Sequence, residues 1–149
     1  MPLDQSFIGR SYPPSPPYQV GREKIREFAT AIGAGDPLHH DVEAAKAAGY
    51  PDVVAPPTFL AVLTMAALRV IVLDPDLGLD YSRVVHGDQR FAYERPVVAG
   101  DELVVIDHIE DIMTRAGNDL MNIRQEVRTT AGEHVATVWH KTVVRGEQA

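Results

Sequence analysis

Histidine and carboxylate side chains crowd into one short stretch of this chain, Asp36-Pro37-Leu38-His39-His40-Asp41, and a second polar string, His86-Gly87-Asp88-Gln89, lies downstream. Imidazole and carboxylate are the side chains that ligate zinc or iron. Adjacent histidines rarely both face one ion, however, and no third or fourth ligand sits at a recognisable spacing, so no metal is expected. A plainer role exists for Asp41, because an aspartate placed just before an alanine-rich run serves as a helix N-cap. The downstream string leads into alternating residues in which Gln89 shares a face with Phe91 and Tyr93. It reads either as a polar strand end or as pocket lining. Arg83 and Arg90 are available to phosphates or to an acidic partner, yet lone arginines on an acidic protein are more often solvated or paired. His134 and His140 fall on one strand and are expected to be exposed. Gly33-Ala34-Gly35 follows a helix and not a strand, so it is not a phosphate-binding loop.

The background composition narrows the field further. At 149 residues, with 45% apolar and 23% charged side chains, the chain fits one globular domain. Fourteen Lys and Arg against 21 Asp and Glu give a formal charge of −7, which opposes nucleic-acid backbones and anionic membranes. No local basic patch overrides it. The absence of cysteine removes disulfides, thiolate metal sites and cysteine nucleophiles together. The opening residues lack a charged segment followed by an apolar stretch, so no secretory signal and a cytoplasmic location are expected. The longest apolar run, Phe59 to Leu73, is interrupted by Thr64 and Arg69 and is shorter than the ~20 residues of a membrane span.

Three helices must position the first polar stretch. Ile25, Phe28, Ala29 and Ile32 recur at helical spacing and predict an amphipathic helix over residues 22–32, closed by Gly33. A second short helix runs from an Asp41 cap to Gly49. The third opens after Pro56-Pro57 and continues from Thr58 to Val72, apolar on nearly every side, so it should be surrounded by protein. From Gln89 onward the period changes to two, and Ala99-Gly100-Asp101, Ala116 to Asp119 and Ala131-Gly132-Glu133 punctuate four long antiparallel strands. An α+β fold follows, with the curved sheet wrapped around the apolar helix. The Tyr12-Pro13-Pro14-Ser15-Pro16-Pro17-Tyr18 segment reads as a rigid packing arm.

Several strings together resemble one family. Gly35 to Asp41, Ala44-Ala45, Gly49-Tyr50 and Val54-Ala55-Pro56-Pro57-Thr58-Phe59 are similar to the start of MaoC-like hot-dog proteins, the (R)-specific enoyl-thioester hydratases and (3R)-hydroxyacyl dehydratases. The proline-rich opening before Gly21 to Phe28 and the string Tyr81 to Gln89 resemble the actinobacterial N-terminal, HadA-like branch. The resemblance implies a single hot-dog domain over residues 1–149 and an acyl-thioester substrate, carried on coenzyme A or acyl carrier protein. It implies no cofactor, and a dimer, either of this chain or with a catalytic hot-dog subunit.

It also implies a chemistry. Active members carry Asp-x-Asn-Pro-(Leu/Ile)-His-x-Asp, in which the first Asp and the His handle one water. Loss of water from a 3-hydroxyacyl thioester needs a base for the α-proton and an acid for the leaving hydroxyl. The developing enolate needs donors, which a helix start after Pro57 can supply. Alignment on Pro37 puts His39 on the family's histidine, Asp41 on its trailing aspartate and Asp36 where Asn is usual. The catalytic aspartate falls on Ala34. The expected catalytic residues are therefore His39 and Asp36, the latter only if the loop bends to bring its carboxylate into place. Pro57, Thr58, Phe59, His86 and Gln89 are expected to bind substrate. The chain is read as a dehydratase or hydratase subunit whose partner supplies the Asp/His pair. A non-catalytic acyl-binding or assembly partner and a self-sufficient homodimer using Asp36 and His39 stay open. A hot-dog thioesterase is weaker, because residues 58–72 hold no acid.

Overall fold

The computed structural model describes residues 2–147; Met1, Gln148 and Ala149 lie outside it. Five strands, β1 (Tyr18–Gln19), β2 (Val84–Tyr93), β3 (Glu102–Arg115), β4 (Asn118–Thr129) and β5 (His134–Val144), form one antiparallel sheet in the order β1-β3-β4-β5-β2. Period-two alternation gives each long strand one buried face. In β3 and β4 that face carries Leu103, Val105, Asp107 and Ile109 beside Val127, Gln125 and Ile123. A bulge between Ile109 and Asp111 resets the alternation, so that Ile112 turns inward opposite Met121.

The helices are α1 (Arg22–Ala31), α2 (Val42–Ala47), α3 (Ala61–Ala67) and α4 (Arg69–Val72). In α1, Ile25 and Ala29 are fully buried, and Phe28 meets Phe59 edge-on at 5.5 Å between ring centroids. Ile32 was expected on the same face but is 51% exposed, because the helix ends one residue earlier and Gly33, at φ +74°, turns the chain away. The Asp41 carboxylate caps α2, accepting the N–H groups of Glu43 and Ala44.

The expected continuous helix from Thr58 to Val72 is divided. Pro56 and Pro57 lack N–H groups and bias the chain away from helix before them. Phe59, Ala61, Val62 and Leu63 then donate only three residues back, and the first four-residue bond is Thr64 to Leu60. A second interruption falls at Leu68. There the Thr64 carbonyl is shared between the Leu68 N–H at 3.2 Å and the side chain of Gln125 at 2.9 Å. The Thr64 hydroxyl also bonds back to Leu60 O, which bends helices. Nor is the helix enclosed all round. Leu63, Leu68 and Ile71 face the sheet, whereas Met65, Val70 and Leu73 are exposed. No helix among the described residues is long and apolar enough to cross a membrane.

Two apolar clusters fill the space between helix and sheet. One gathers Phe59, Leu60 and Leu63 with Val105, Val127 and Val138; the other gathers Leu68 and Ile71 with Ile109, Ile112, Met121 and Ile123. Asp107 and Gln125 stand in register between them. The Gln125 amide donates to Asp107 at 2.8 Å and to Thr64 O, tying sheet to helix. The proline-rich arm runs along the outer edge of β3. Ser15 N–H donates to Val105 O, Ser15 Oγ accepts the Val105 N–H, and Tyr12 N–H donates to Asp107 O.

Burial pushes the Asp107 carboxyl above its ordinary 3.8, against weaker pulls from the Gln125 hydrogen bond and from His108. The folded state then holds a proton where the unfolded state does not, so stability falls as pH rises from 3.8 through the raised value. Asp107→Asn is neutral at every pH and keeps an acceptor for Gln125. It is expected to raise the urea midpoint at pH 7 and to lose that advantage as pH falls to 3.8. An unchanged midpoint at pH 7 contradicts this account.

Candidate functional site

The segment leading to His39 is held by local hydrogen bonds. Asp36 caps a single 3-10 turn, Pro37–His39, its carboxylate accepting the Leu38 N–H at 2.9 Å. Pro37 opens that turn with a preset φ. The next contact crosses to the segment before the central helix, where Val54 N–H donates to Leu38 O and His39 Nδ1 lies 2.6 Å from Val54 O. A carbonyl only accepts, so Nδ1 carries the proton and Nε2 of the neutral ring keeps its lone pair. Among the described residues nothing bonds that Nε2. The Val54 segment is pinned in turn, since Ala55 N–H donates to Val97 O and Ala99 N–H to Val53 O.

A groove of about 470 Å³ opens beside His39, walled by Ala55, Pro57, Tyr93 and Pro96. Tyr93 projects from the last position of β2, and its hydroxyl donates to Pro57 O. Burial pushes that phenol up to about 12, so it remains a donor at physiological pH. Arg95 stiffens the rim with a two-pronged ion pair to Asp101 at 2.9 and 3.0 Å, and with a further bond to Glu133 at 2.8 Å. The Asp101 carboxylate, followed by Glu133, holds this guanidinium above its usual range. Glu94 is the acidic residue of the groove lining. Tyr93, Glu94 and Arg95 were not among the site residues expected from sequence. The signal for Tyr93 was present in the alternation that sets it on the face of Gln89 and Phe91.

The expected site residues are not all brought together. His39 and Pro57 line one groove. Asp36 is exposed and bonded into its own turn, and Ala34 presents only backbone, its carbonyl accepting from His40 Nε2 at 2.8 Å. His40 therefore braces the loop while His39 faces the groove. Thr58 is exposed in the turn after Pro57, and its N–H has no acceptor among the described residues. Phe59 has no accessible surface and packs on Phe28. His86 lies towards the other end of the central helix and lines a second cavity with His140, and Gln89 pairs with His140 across the strands. His140, expected to be exposed, is only 4% exposed, because β5 alternation puts it on the inner face with Val138 and Thr142. Burial, and then the neighbouring His86, pushes its imidazole down to about 4. Among the described residues, no three His, Cys, Asp or Glu side chains converge as a metal site.

A curled antiparallel sheet on a central helix, with an oriented imidazole beside the turn that starts the helix, defines a hot-dog protein of the hydratase and dehydratase class. The chain belongs to the MaoC-like dehydratase family: the signature of the FAS1-like dehydratase domain region matches residues 6–138. A "UPF0336 protein" of Saccharopolyspora erythraea is 63% identical over 146 residues, which are 98% of this chain and 94% of that protein. A solved MaoC-like dehydratase superposes with a TM-score of 0.86 at 35% identity; 95% of this chain spans 43% of that longer one. The C-terminally truncated HadBC (3R)-hydroxyacyl-ACP dehydratase complex of Mycobacterium tuberculosis contains a chain with a TM-score of 0.82 and 32% identity, covering 92% of this chain and 96% of that one.

Two measurements check this description. Asp36→Ala is expected to cost about 1 kcal/mol of stability through the lost cap, and Asp36→Asn much less; equal costs in urea titrations contradict the capping geometry. His140 has a folded value of about 4 below its ordinary 6.5, so stability is full above 6.5 and is lost as pH falls to about 4. The loss is on the order of 3 kcal/mol. His140→Phe is expected to flatten that acid limb, and an unaltered limb contradicts a neutral buried ring.

Proposed function

We propose that the chain is a subunit of an (R)-specific 3-hydroxyacyl-thioester dehydratase or enoyl-thioester hydratase. Its substrate is an acyl-CoA or acyl carrier protein thioester, and a second hot-dog subunit completes the Asp/His pair. One observation carries this reading: an imidazole is oriented into a groove with its Nε2 free, while Ala34 stands where the carboxylate belongs and Asp36 is engaged with Leu38. In the dehydration, one group takes the C2 proton and another protonates the departing C3 hydroxyl, so that water leaves and the C2–C3 double bond forms. His39 Nε2 can carry one of these protons. The free Thr58 N–H is available to the thioester oxygen as charge develops there. Among the described residues the acidic side chain of the groove, Glu94, is exposed, and no hydrogen bond fixes it beside His39.

The partner's seat is the open edge strand. The arm covers β3 from Glu102 to Ile109, whereas β2 at the opposite edge offers unpaired backbone beside exposed Val85, Tyr81 and Leu73. The likeness to the HadBC complex supports pairing with another hot-dog chain. Residues 1–149 then act as one MaoC-like unit of the assembly.

Hydration of crotonyl-CoA tests the reading. The chain alone is expected to run at less than about 1% of the rate of the chain co-purified with its hot-dog partner, and His39→Ala is expected to lower kcat of the pair by roughly 10²–10⁴. Enzyme-like turnover by the chain alone, abolished by Asp36→Ala or His39→Ala, sinks the partner requirement. An unchanged rate for the His39→Ala pair makes this chain an acyl-binding or assembly partner instead.

A further inference from the structure

Where the proline-rich arm crosses β3, it brings a hydroxyl against an imidazole on the outer face of the sheet. Ile109 N–H donates to Arg10 O and Tyr12 N–H to Asp107 O, each at 2.9 Å, so Ser11 and His108 stand opposite one another without exchanging backbone bonds. In such pairs the side chains come closest. His108 alternates with the buried Asp107 and Ile109, which turns its ring away from the core. Ser11 Oγ lies 2.5 Å from His108 Nδ1 and makes no other hydrogen bond among the described residues. His108 Nε2 in turn lies 2.8 Å from Glu126 Oε2 on β4. A serine, an imidazole and a carboxylate are thus joined in one chain of hydrogen bonds.

The acidic end sets the direction of that chain. A carboxylate only accepts, so Nε2 carries the proton, and Nδ1 of the neutral ring presents its lone pair to the serine O–H. The His108 hydrogen bond, with a further one from Arg128, holds the Glu126 carboxyl below its ordinary 4.5 against the opposing effect of burial. Arg128 bonds the second carboxylate oxygen at 3.2 Å and so fixes its orientation. A hydroxyl facing a base that is itself oriented by an acid is the arrangement of an activated nucleophile. Relative to the serine protease triad the two ring nitrogens are exchanged and the three roles are kept. The N–H of Ser11 points away from β3 and has no acceptor among the described residues, so it is free to meet an oxyanion formed beside Oγ. Pinning the arm does not require the serine, because Gly9, Tyr12 and Ser15 already donate to β3 on either side of it.

We propose that Ser11, His108 and Glu126 form a second reactive site, at which Ser11 takes the acyl group of a small activated carboxylic ester. His108 Nδ1 accepts the Ser11 proton as Oγ bonds to the carbonyl carbon and the carbonyl oxygen takes up the electron pair. Return of that pair breaks the ester C–O bond, and the alcohol departs with the proton. Water then repeats the exchange: His108 takes its proton, its oxygen bonds to the acyl carbon, and Ser11 Oγ leaves and recovers a proton. Ester and water become acid and alcohol. Ser11 is exposed, which suits a small acyl group, and a single backbone donor at the oxyanion makes turnover slow. The site lies on the β3 side of the sheet, so a partner seated at the β2 edge leaves it open.

Covalent labelling tests the site without any reaction at His39, so its failure leaves the dehydratase reading standing. The full chain, in the oligomeric state in which it purifies, is treated with an alkyl fluorophosphonate, whose phosphorus bonds to an activated serine oxygen with loss of fluoride. Mass spectrometry of the peptides locates the adduct. Ser11 is expected to react about tenfold or more faster than Ser6 and Ser82, which are also exposed but meet no imidazole among the described residues. His108→Gln keeps a polar side chain between Ser11 and Glu126 and is expected to slow labelling of Ser11 by about 10²-fold or more. Glu126→Gln no longer fixes the tautomer and is expected to slow it by about tenfold or more. With 4-nitrophenyl acetate the unmodified chain is expected to carry an acetyl group on Ser11, and the His108→Gln chain to lose it. No adduct on Ser11, labelling no faster than at Ser6 and Ser82, or a Ser11 rate that survives His108→Gln overturns the inference. If His108→Gln does not fold, the selectivity among the three serines of the unmodified chain decides.

Discussion

The Gln125 side chain holds the two layers of this molecule in register. Its amide donates at once to the Asp107 carboxylate of the neighbouring strand and to the Thr64 carbonyl of the helix, inside a region closed to solvent. Apolar contacts on either side are non-directional and would tolerate a helix shifted along the sheet. The forked amide does not, because a displaced helix leaves a buried donor unpaired. The cost of this specificity is visible in the same place. Asp107 is buried with a raised carboxyl, Gln125 Oε1 has no partner among the described residues, and the helix gives up regularity at Leu68 as its Thr64 carbonyl serves two donors.

Fixing the helix axially fixes what lies at each of its ends. Towards the start, the Pro57–Leu60 turn is held where Tyr93 can reach Pro57 O and where Val54, a few residues earlier, can receive the His39 ring. Towards the finish, Leu68 and Val72 are held above His140 and Thr142. The two cavities thus share a scaffold and differ in chemistry. One has an imidazole with a free basic nitrogen at its wall, while the other has a neutral ring stacked on a second histidine. In both, histidine behaviour follows from what meets the ring: a carbonyl against Nδ1 of His39 sets its tautomer, and depth in the sheet keeps the proton off His140.

These differences also explain which parts of the molecule were legible in its sequence. Periodicity and capping are local, so the α1 and α2 boundaries, the Asp41 cap and the long strands follow from residues close together in the chain. The division at Leu68 does not, because it arises from Gln125, remote in sequence and brought near only by the fold. His140 was misjudged because polarity was weighed above position. Its alternation with Val138, Thr142 and Val144 already assigned it to the inner face. The His39 groove was legible through the family resemblance and not through spacing, since the partner of its ring is a backbone carbonyl that no side-chain pattern encodes. The reading of Ala34 as the place of an absent carboxylate rests on that resemblance alone, whereas the engagement of Asp36 with Leu38 needed coordinates.

The two edges of the sheet carry the last step of the argument. An open sheet has two edges, and if both accept a strand it can extend without limit. Here the residues before α1 close one of them: Gly9, Tyr12 and Ser15 donate in turn to Ile109, Asp107 and Val105. The prolines between Tyr12 and Tyr18 have no N–H to offer a further strand, so the arm terminates the sheet on that side instead of continuing it. Only the β2 edge remains for pairing, and a protein with one available edge forms a closed pair when it meets another such edge. Gly87 lies within the β2 bulge, where an added Cβ would stand 3.0 Å from a Val143 methyl and 3.3 Å from the Lys141 carbonyl, so a larger residue fits only if these neighbours give way. The proline-rich opening therefore closes the β3 edge, and Gly87 shapes the β2 edge that stays open among the described residues.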